Sequence, residues 1–180
     1  MKIFIIIIVI IVIILAFVGY RAGLFHSVKI TEKEIDTIEL VYEEHTGSYS
    51  ETGKLQDKIY YKLLNNEEIE TYKGIGIYYD DPKETQQEKL RSKVGCIIEP
   101  ADYDRIDKLE NNYNVMEISG QKMIYTEFPY RSKMAIMAGI FKVYPKIEKY
   151  RQDKGYPKRE SIEIYDLPNK KIIYLMPIEK

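Results

Sequence analysis

The chain has 180 residues, enough for one domain with a real core, and its 27 Lys plus Arg are balanced by 28 Asp plus Glu. Interspersed, balanced charge excludes the basic footprint that nucleic acid requires. With 2 His and 1 Cys, no H-x-x-x-H or C-x-x-C spacing, no G-x-S-x-G elbow and no glycine-rich phosphate loop, the sequence points to no metal site, no cofactor and no intramolecular disulfide.

The first element is apolar throughout. Ile3 to Tyr20, IFIIIIVIIVIILAFVGY, carries no charge. As a helix it would be about 27 Å long, close to the roughly 30 Å hydrocarbon thickness of a bilayer. A cleaved signal would show a shorter apolar region, a more basic start and an A-x-A exit. The only cysteine, Cys96, is too distant for lipidation beside the run. The expectation is a retained single-pass anchor over residues 1–21, with a domain over residues 22–180. Lys2 alone precedes the span while Arg21, Lys29 and Lys33 follow it, which places that domain on the cytosolic side.

Beyond Ser27 the periodicity changes. DTIELVYEEHTGSY alternates apolar and polar residues, as a strand with one buried face does. In SETGKLQDKIYYKLLNN, residues Leu55, Ile59 and Leu63 share one face of a helix capped by Ser50 and stopped by Asn65-Asn66. Strand-like runs over 73–80 and 93–99 follow. The second half repeats the order. KMIYTEFPY reads as a strand and SKMAIMAGIFKVYPKIEKYRQDKG as a helix, with Met137, Ile140, Tyr144 and Ile147 on its stripe and Pro145 to kink or split it. ESIEIYDLP and KKIIYLMPI close the chain as strands.

Tyr79, Asp80 and Pro82 recur as Tyr165, Asp166 and Pro168 at a constant spacing, the mark of a duplicated βαββ unit. The fold class expected is α+β, with two such units burying their sheets against helices and each other. Asp80, Asp81 and Pro82 have a structural role at a turn. His45, beside Gly47, reads as a turn residue and Cys96 as a small buried hydrophobe.

HTGSYSE, IGIYYDDP, EKLRSKVG and GYPKRESIEIYD, in this order and with the duplication, resemble the GyrI-like domains of gyrase inhibitors and of the effector-binding part of AraC-type and multidrug-sensing regulators. The resemblance covers about residues 28 to 178. Together with the apolar start, EFPYRSKMAIMAGIFKVYPKIEKY is similar to the membrane-anchored, testis-expressed GyrI-like proteins, a family that includes a reticulophagy receptor. The autophagy-binding motif of that receptor lies in a C-terminal tail, whereas here the last strand ends near Pro177, so the tail function is not carried over. Tyr60-Tyr61-Lys62-Leu63 has the spacing of such a motif but falls inside a helix.

In ligand-binding GyrI-like domains a glutamate of the corresponding strand reaches a pocket between the halves, and the resemblance assigns that place to Glu163. Alternation sets Glu163 and Tyr165 on one face, and the constant spacing makes Ile77 the counterpart of Glu163. Tyr42, Tyr79 and Tyr125, also on strands, join Glu163 and Tyr165 as expected ligand-binding residues, since a carboxylate among aromatic rings attracts cationic or apolar ligands. The expected function is a membrane-anchored small-molecule-binding module with no metal. The resemblance also implies two alternatives, a membrane-tethered adaptor like the reticulophagy receptor, or a hydrolase of electrophilic small molecules, as some GyrI-like proteins are, using Glu163 as base.

Overall fold

The computed structural model describes residues 2–178. The first helix, α1 (Lys2–Arg21), has side chains almost entirely outside the protein core, only 6% of its most apolar window being buried. By length and composition it is apolar enough to cross a membrane.

The rest of the described chain forms an eight-stranded, wholly antiparallel, curled sheet with helices on one face. The strands are β1 (Thr31–Ile35), β2 (Ile38–Thr46), β3 (Lys73–Tyr78), β4 (Arg91–Ile97), β5 (Asn114–Ile118), β6 (Gln121–Pro129), β7 (Ser161–Asp166) and β8 (Lys171–Pro177). Between them lie α2 (Thr52–Glu67), the short α3 (Ile106–Leu109) and α4 (Met134–Lys154). The expected α+β class and the doubled βαββ order are both present: β2-α2-β3-β4 is followed by β6-α4-β7-β8.

Two strands, β1 and β5, were not anticipated. β1 precedes β2 yet pairs with β6, and β5 precedes β6 yet pairs with β2, so each half lends its leading strand to the edge of the other. The two pairings are one ribbon interrupted once: Ile35 faces Gln121, Ile38 faces Ile118, and at the break Gly120 donates its backbone N–H to Thr37 Oγ1 at 3.2 Å. TEKEI carries a single large apolar side chain, too few to display the period of a strand.

One face of the sheet is lined by Leu40, Ile75, Ile77, Met123, Ile162, Ile164 and Leu175. On the opposite face α4 packs Ala135, Ala138, Val143 and Ile147 against Ile124, Phe128, Ile172 and Tyr174. There α2 sets Ile59 and Leu63 against Val41 and Cys96. Cys96 is buried as expected, and burial pushes its thiol up to about 11.

The stripe expected on α4 is rotated. Ile147 and the small residues Ala135, Ala138 and Gly139 face the sheet, while Met137 is 55% and Ile140 36% exposed. Small residues let the helix approach the strands, and no hydrophobicity pattern marks that. Nor does Pro145 split α4, which runs on to a Gly155 cap at φ 71°. Pro145 is itself exposed, so the carbonyl it leaves without an N–H is close to water. Ser50 does not cap α2: α2 starts at Thr52, its N-cap position is Glu51 without a side-chain hydrogen bond, and Ser48 instead caps the single 3₁₀ turn just ahead of it, its Oγ accepting from Ser50 N at 3.3 Å. Asp80 and Asp81 do work at the turn, Asp80 gripping Arg91 through two side-chain bonds of 3.0 and 2.8 Å and Asp81 accepting from Lys83 N at 2.9 Å. His45 likewise bonds locally, its Nε2 lying 3.1 Å from Ser48 O. Leu63 is fully buried, which holds Tyr60-Tyr61-Lys62-Leu63 within the packed helix.

Candidate functional site

The middle of the sheet is the β3–β7 pair, where the halves meet. Ile75 and Ile77 face Ile164 and Ile162 across it, all four on the inner face, so Gly76 and Glu163 are direct partners on the helix side. GIGIY over residues 74–78 therefore corresponds to SIEIY over 161–165. The counterpart of Glu163 is Gly76 and not Ile77, and the counterpart of Tyr165 is Tyr78 and not Tyr79. The spacing taken from the Asp and Pro residues of the turns was one residue out of step with the strands, and a slip of one reverses the face.

Glu163 is 3% exposed. Its oxygens accept one hydrogen bond each, from Tyr144 Oη of α4 at 2.5 Å and from Tyr165 Oη at 2.6 Å. Burial raises the proton affinity of the carboxyl above its ordinary value, and the two tyrosine hydroxyls act in the opposite sense. Burial and the adjacent carboxylate push Tyr144 and Tyr165 far above the ordinary phenol value, keeping both as donors. Among the described residues Glu163 has no ion-pair partner.

Further tyrosines close the space around it. The Tyr78 ring folds over Gly76, where a Cβ would come within 2.6 Å of the Tyr78 hydroxyl, and it packs edge-on against Tyr49 with centroids 4.8 Å apart. Tyr174 packs edge-on against Tyr144 at 5.7 Å, its buried hydroxyl without a partner among the described residues and directed at Gly139 of α4. Tyr78, Tyr144 and Tyr165 remain partly exposed while the carboxylate beneath them is not.

The structure thus brings together two of the expected residues, Glu163 and Tyr165. Tyr42 and Tyr125 lie against the opposite, inner face of the sheet. Tyr42 packs under Lys93, 4.6 Å from its ring centroid, and Tyr125 donates to Glu127 beneath Lys33. Tyr79, beyond the end of β3, is 40% exposed. Sequence reasoning missed Tyr78, Tyr174 and the two glycines, and took Tyr144 for helix core. The I-x-I-Y pattern common to β3 and β7 was the available signal for Tyr78. Two surface clefts, of about 290 and 370 Å³, lie along α2 and the start of β5 and do not include Glu163.

A family model described as the GyrI-like small molecule binding domain matches residues 28–174. The chain is 26% identical to the mouse testis-expressed protein 264 homolog over 92% of this chain and 53% of that one. It is 27% identical to human testis-expressed protein 264 over 84% and 49%. It therefore spans about half the length of the curated relatives it matches. Among solved structures, SAV2435 bound to tetraphenylphosphonium has the same fold at a TM-score of 0.51 and 12% identity, covering 84% of this chain and 94% of that one.

Proposed function

Because the chain belongs to the GyrI-like small-molecule-binding family, we propose that its domain holds a lipophilic cation over Glu163, between the two halves. The observation that carries this reading is a carboxylate buried to 3% exposure whose hydrogen-bond donors are neutral hydroxyls. An ionised carboxylate removed from water costs several kcal/mol unless a counter-charge accompanies it. A cation enclosed in aromatic surface supplies that charge and stacks on the rings of Tyr78, Tyr144, Tyr165 and Tyr174. Tyr144 stands on a helix rather than in the sheet, and its displacement from Glu163 is the simplest way to open the site. Tetraphenylphosphonium, the compound in the SAV2435 complex, has the required charge and bulk.

The hydrolase alternative has less support. Raised proton affinity suits a base, but both oxygens are occupied by tyrosine hydroxyls and neither described cleft adjoins them. The membrane reading completes the proposal: residues 1–21 anchor the domain of residues 22–180 as a single-pass span, with the domain on the cytosolic side.

The test is thermal unfolding of the chain in neutral detergent with tetraphenylphosphonium and with neutral triphenylphosphine oxide. Only the cation is expected to stabilise, and Glu163→Gln is expected to abolish the effect. At a ligand concentration of about one hundred times Kd the gain would be about 2.7 kcal/mol. Absence of any shift, or an equal shift in the Gln variant, removes the site from Glu163.

A further inference from the structure

The segment joining α1 to β1 is packed along α4. Arg131 Nη1 donates to Tyr20 O at 3.3 Å while its guanidinium lies 4.3 Å from the Tyr20 ring centroid, and Ser132 Oγ donates to Arg21 O at 3.2 Å. Lys142 Nζ donates to Leu24 O and, at 2.7 Å, to His26 O; Lys146 Nζ reaches Val28 O at 3.1 Å. Ala22 and Val28 are buried in the core beneath α4. Gly23, at φ +78°, has no room for a Cβ, which would fall 2.8 Å from the Phe128 ring. The start of α4 is thereby held beside the end of α1.

These two segments carry a surface unlike the rest of the domain. Beyond α1, and setting tyrosines aside, Leu167 is the one exposed large apolar side chain among the described residues outside a group of six: Leu24, Phe25, Met134, Met137, Ile140 and Phe141. Phe25 is 72% and Phe141 71% exposed. Met134, Met137 and Phe141 follow the i, i+3, i+7 spacing of one helix stripe. The charge is equally distinctive. Residues 21–31 and 130–147 contain Arg21, Lys29, Arg131, Lys133, Lys142 and Lys146 and no acidic residue, in a chain with 28 Asp plus Glu.

We propose that this surface lies in the headgroup and upper acyl layer of the membrane that α1 spans, with anionic phospholipid headgroups against its basic residues. The proposal rests on the anchor reading. A lipid surface is the occupant that matches both features at once, exposed apolar side chains in two segments that carry basic and no acidic residues, and on the anchor reading it lies beside the end of α1. Reach is sufficient: Phe141 is about 10 Å along the helix from Met134, similar to the roughly 5–10 Å depth at which interfacial helices lie. The domain then rests on the bilayer and does not swing on a tether.

The chain has no Trp, so single substitutions serve as reporters. Phe141→Trp, Tyr61→Trp on the exposed face of α2, and Ile10→Trp within α1 are each placed in the full chain. Each is reconstituted in vesicles of phosphatidylcholine and phosphatidylserine, with or without brominated phosphatidylcholine, and folding is checked by circular dichroism. Phe141→Trp is expected to emit to the blue of Tyr61→Trp, to be quenched several-fold more by the brominated lipid, and to lose part of that quenching without phosphatidylserine. Quenching of Ile10→Trp alone, with positions 141 and 61 alike, overturns the docking while the anchor stands. A blue-shifted but unquenched Phe141→Trp means that protein, such as a second copy, covers the patch, and also overturns it. If Ile10→Trp is unquenched, the span and the docking built on it both fall.

Discussion

Gly76 and Glu163 face one another across β3 and β7, and they are also corresponding residues of the two halves. The pseudo-symmetric centre of the sheet thus holds one carboxylate and one hydrogen atom. Two carboxylates there would be buried within about 5 Å of each other and would repel. Glycine also leaves the space that the Tyr78 ring occupies. Gly76→Ala is expected to force Tyr78 off Gly76, at a cost of about 1–3 kcal/mol. Urea unfolding checks this, and an unchanged midpoint would mean that the ring moves freely.

The buried carboxyl makes stability depend on pH. Its folded proton affinity lies above the ordinary value of 4.5, so the folded state binds the proton more tightly than the unfolded chain. Its contribution is complete below pH 4.5 and is lost as pH rises through the higher folded value. Glu163→Gln removes this dependence. The variant should therefore gain on the wild type as pH rises from 4 toward neutrality, read from denaturation midpoints across that range. Parallel pH profiles would place the carboxyl in water. Affinity for tetraphenylphosphonium should rise through the same window, because the cation requires the ionised form.

Tyr174 and Gly139 form a second tight contact. A Cβ on Gly139 would lie 2.2 Å from the Tyr174 hydroxyl, which is buried and has no hydrogen-bond partner among the described residues. Gly139→Ala should destabilise by about 1–3 kcal/mol through overpacking. Tyr174→Phe should be neutral or stabilising, since it removes an unsatisfied polar atom. Combined, the two should cost much less than the sum, a coupling that a double-mutant cycle measures. Simple additivity would disprove the contact.

The anchor has a direct test. Replacing Ile10 and Ile11 with lysine should cost about 5 to 7 kcal/mol of insertion free energy. The native chain is expected to stay in the membrane pellet through alkaline carbonate, and the double variant to be extracted. A mature protein starting near Ala22 in the soluble fraction would identify a cleaved signal.

The sequence by itself determined what depends on neighbours along the chain. An uncharged run declares a spanning-length helix because every side chain in it has the same preference. The doubled strand-helix-strand-strand order and the family are legible because turns and periodicities are local. Glu163 and Tyr165 were found together because residues two apart on a strand share a face. Only the tertiary structure decided which face that was. Both faces of this sheet are covered, so alternation tells that there are two sides without telling which one the helices occupy, and Tyr42 and Tyr125 went to the other. It also supplied Tyr144, whose hydroxyl comes to Glu163 from α4, and the exchange of β1 and β5 between halves. Those contacts join residues far apart in the chain, and no local period records them.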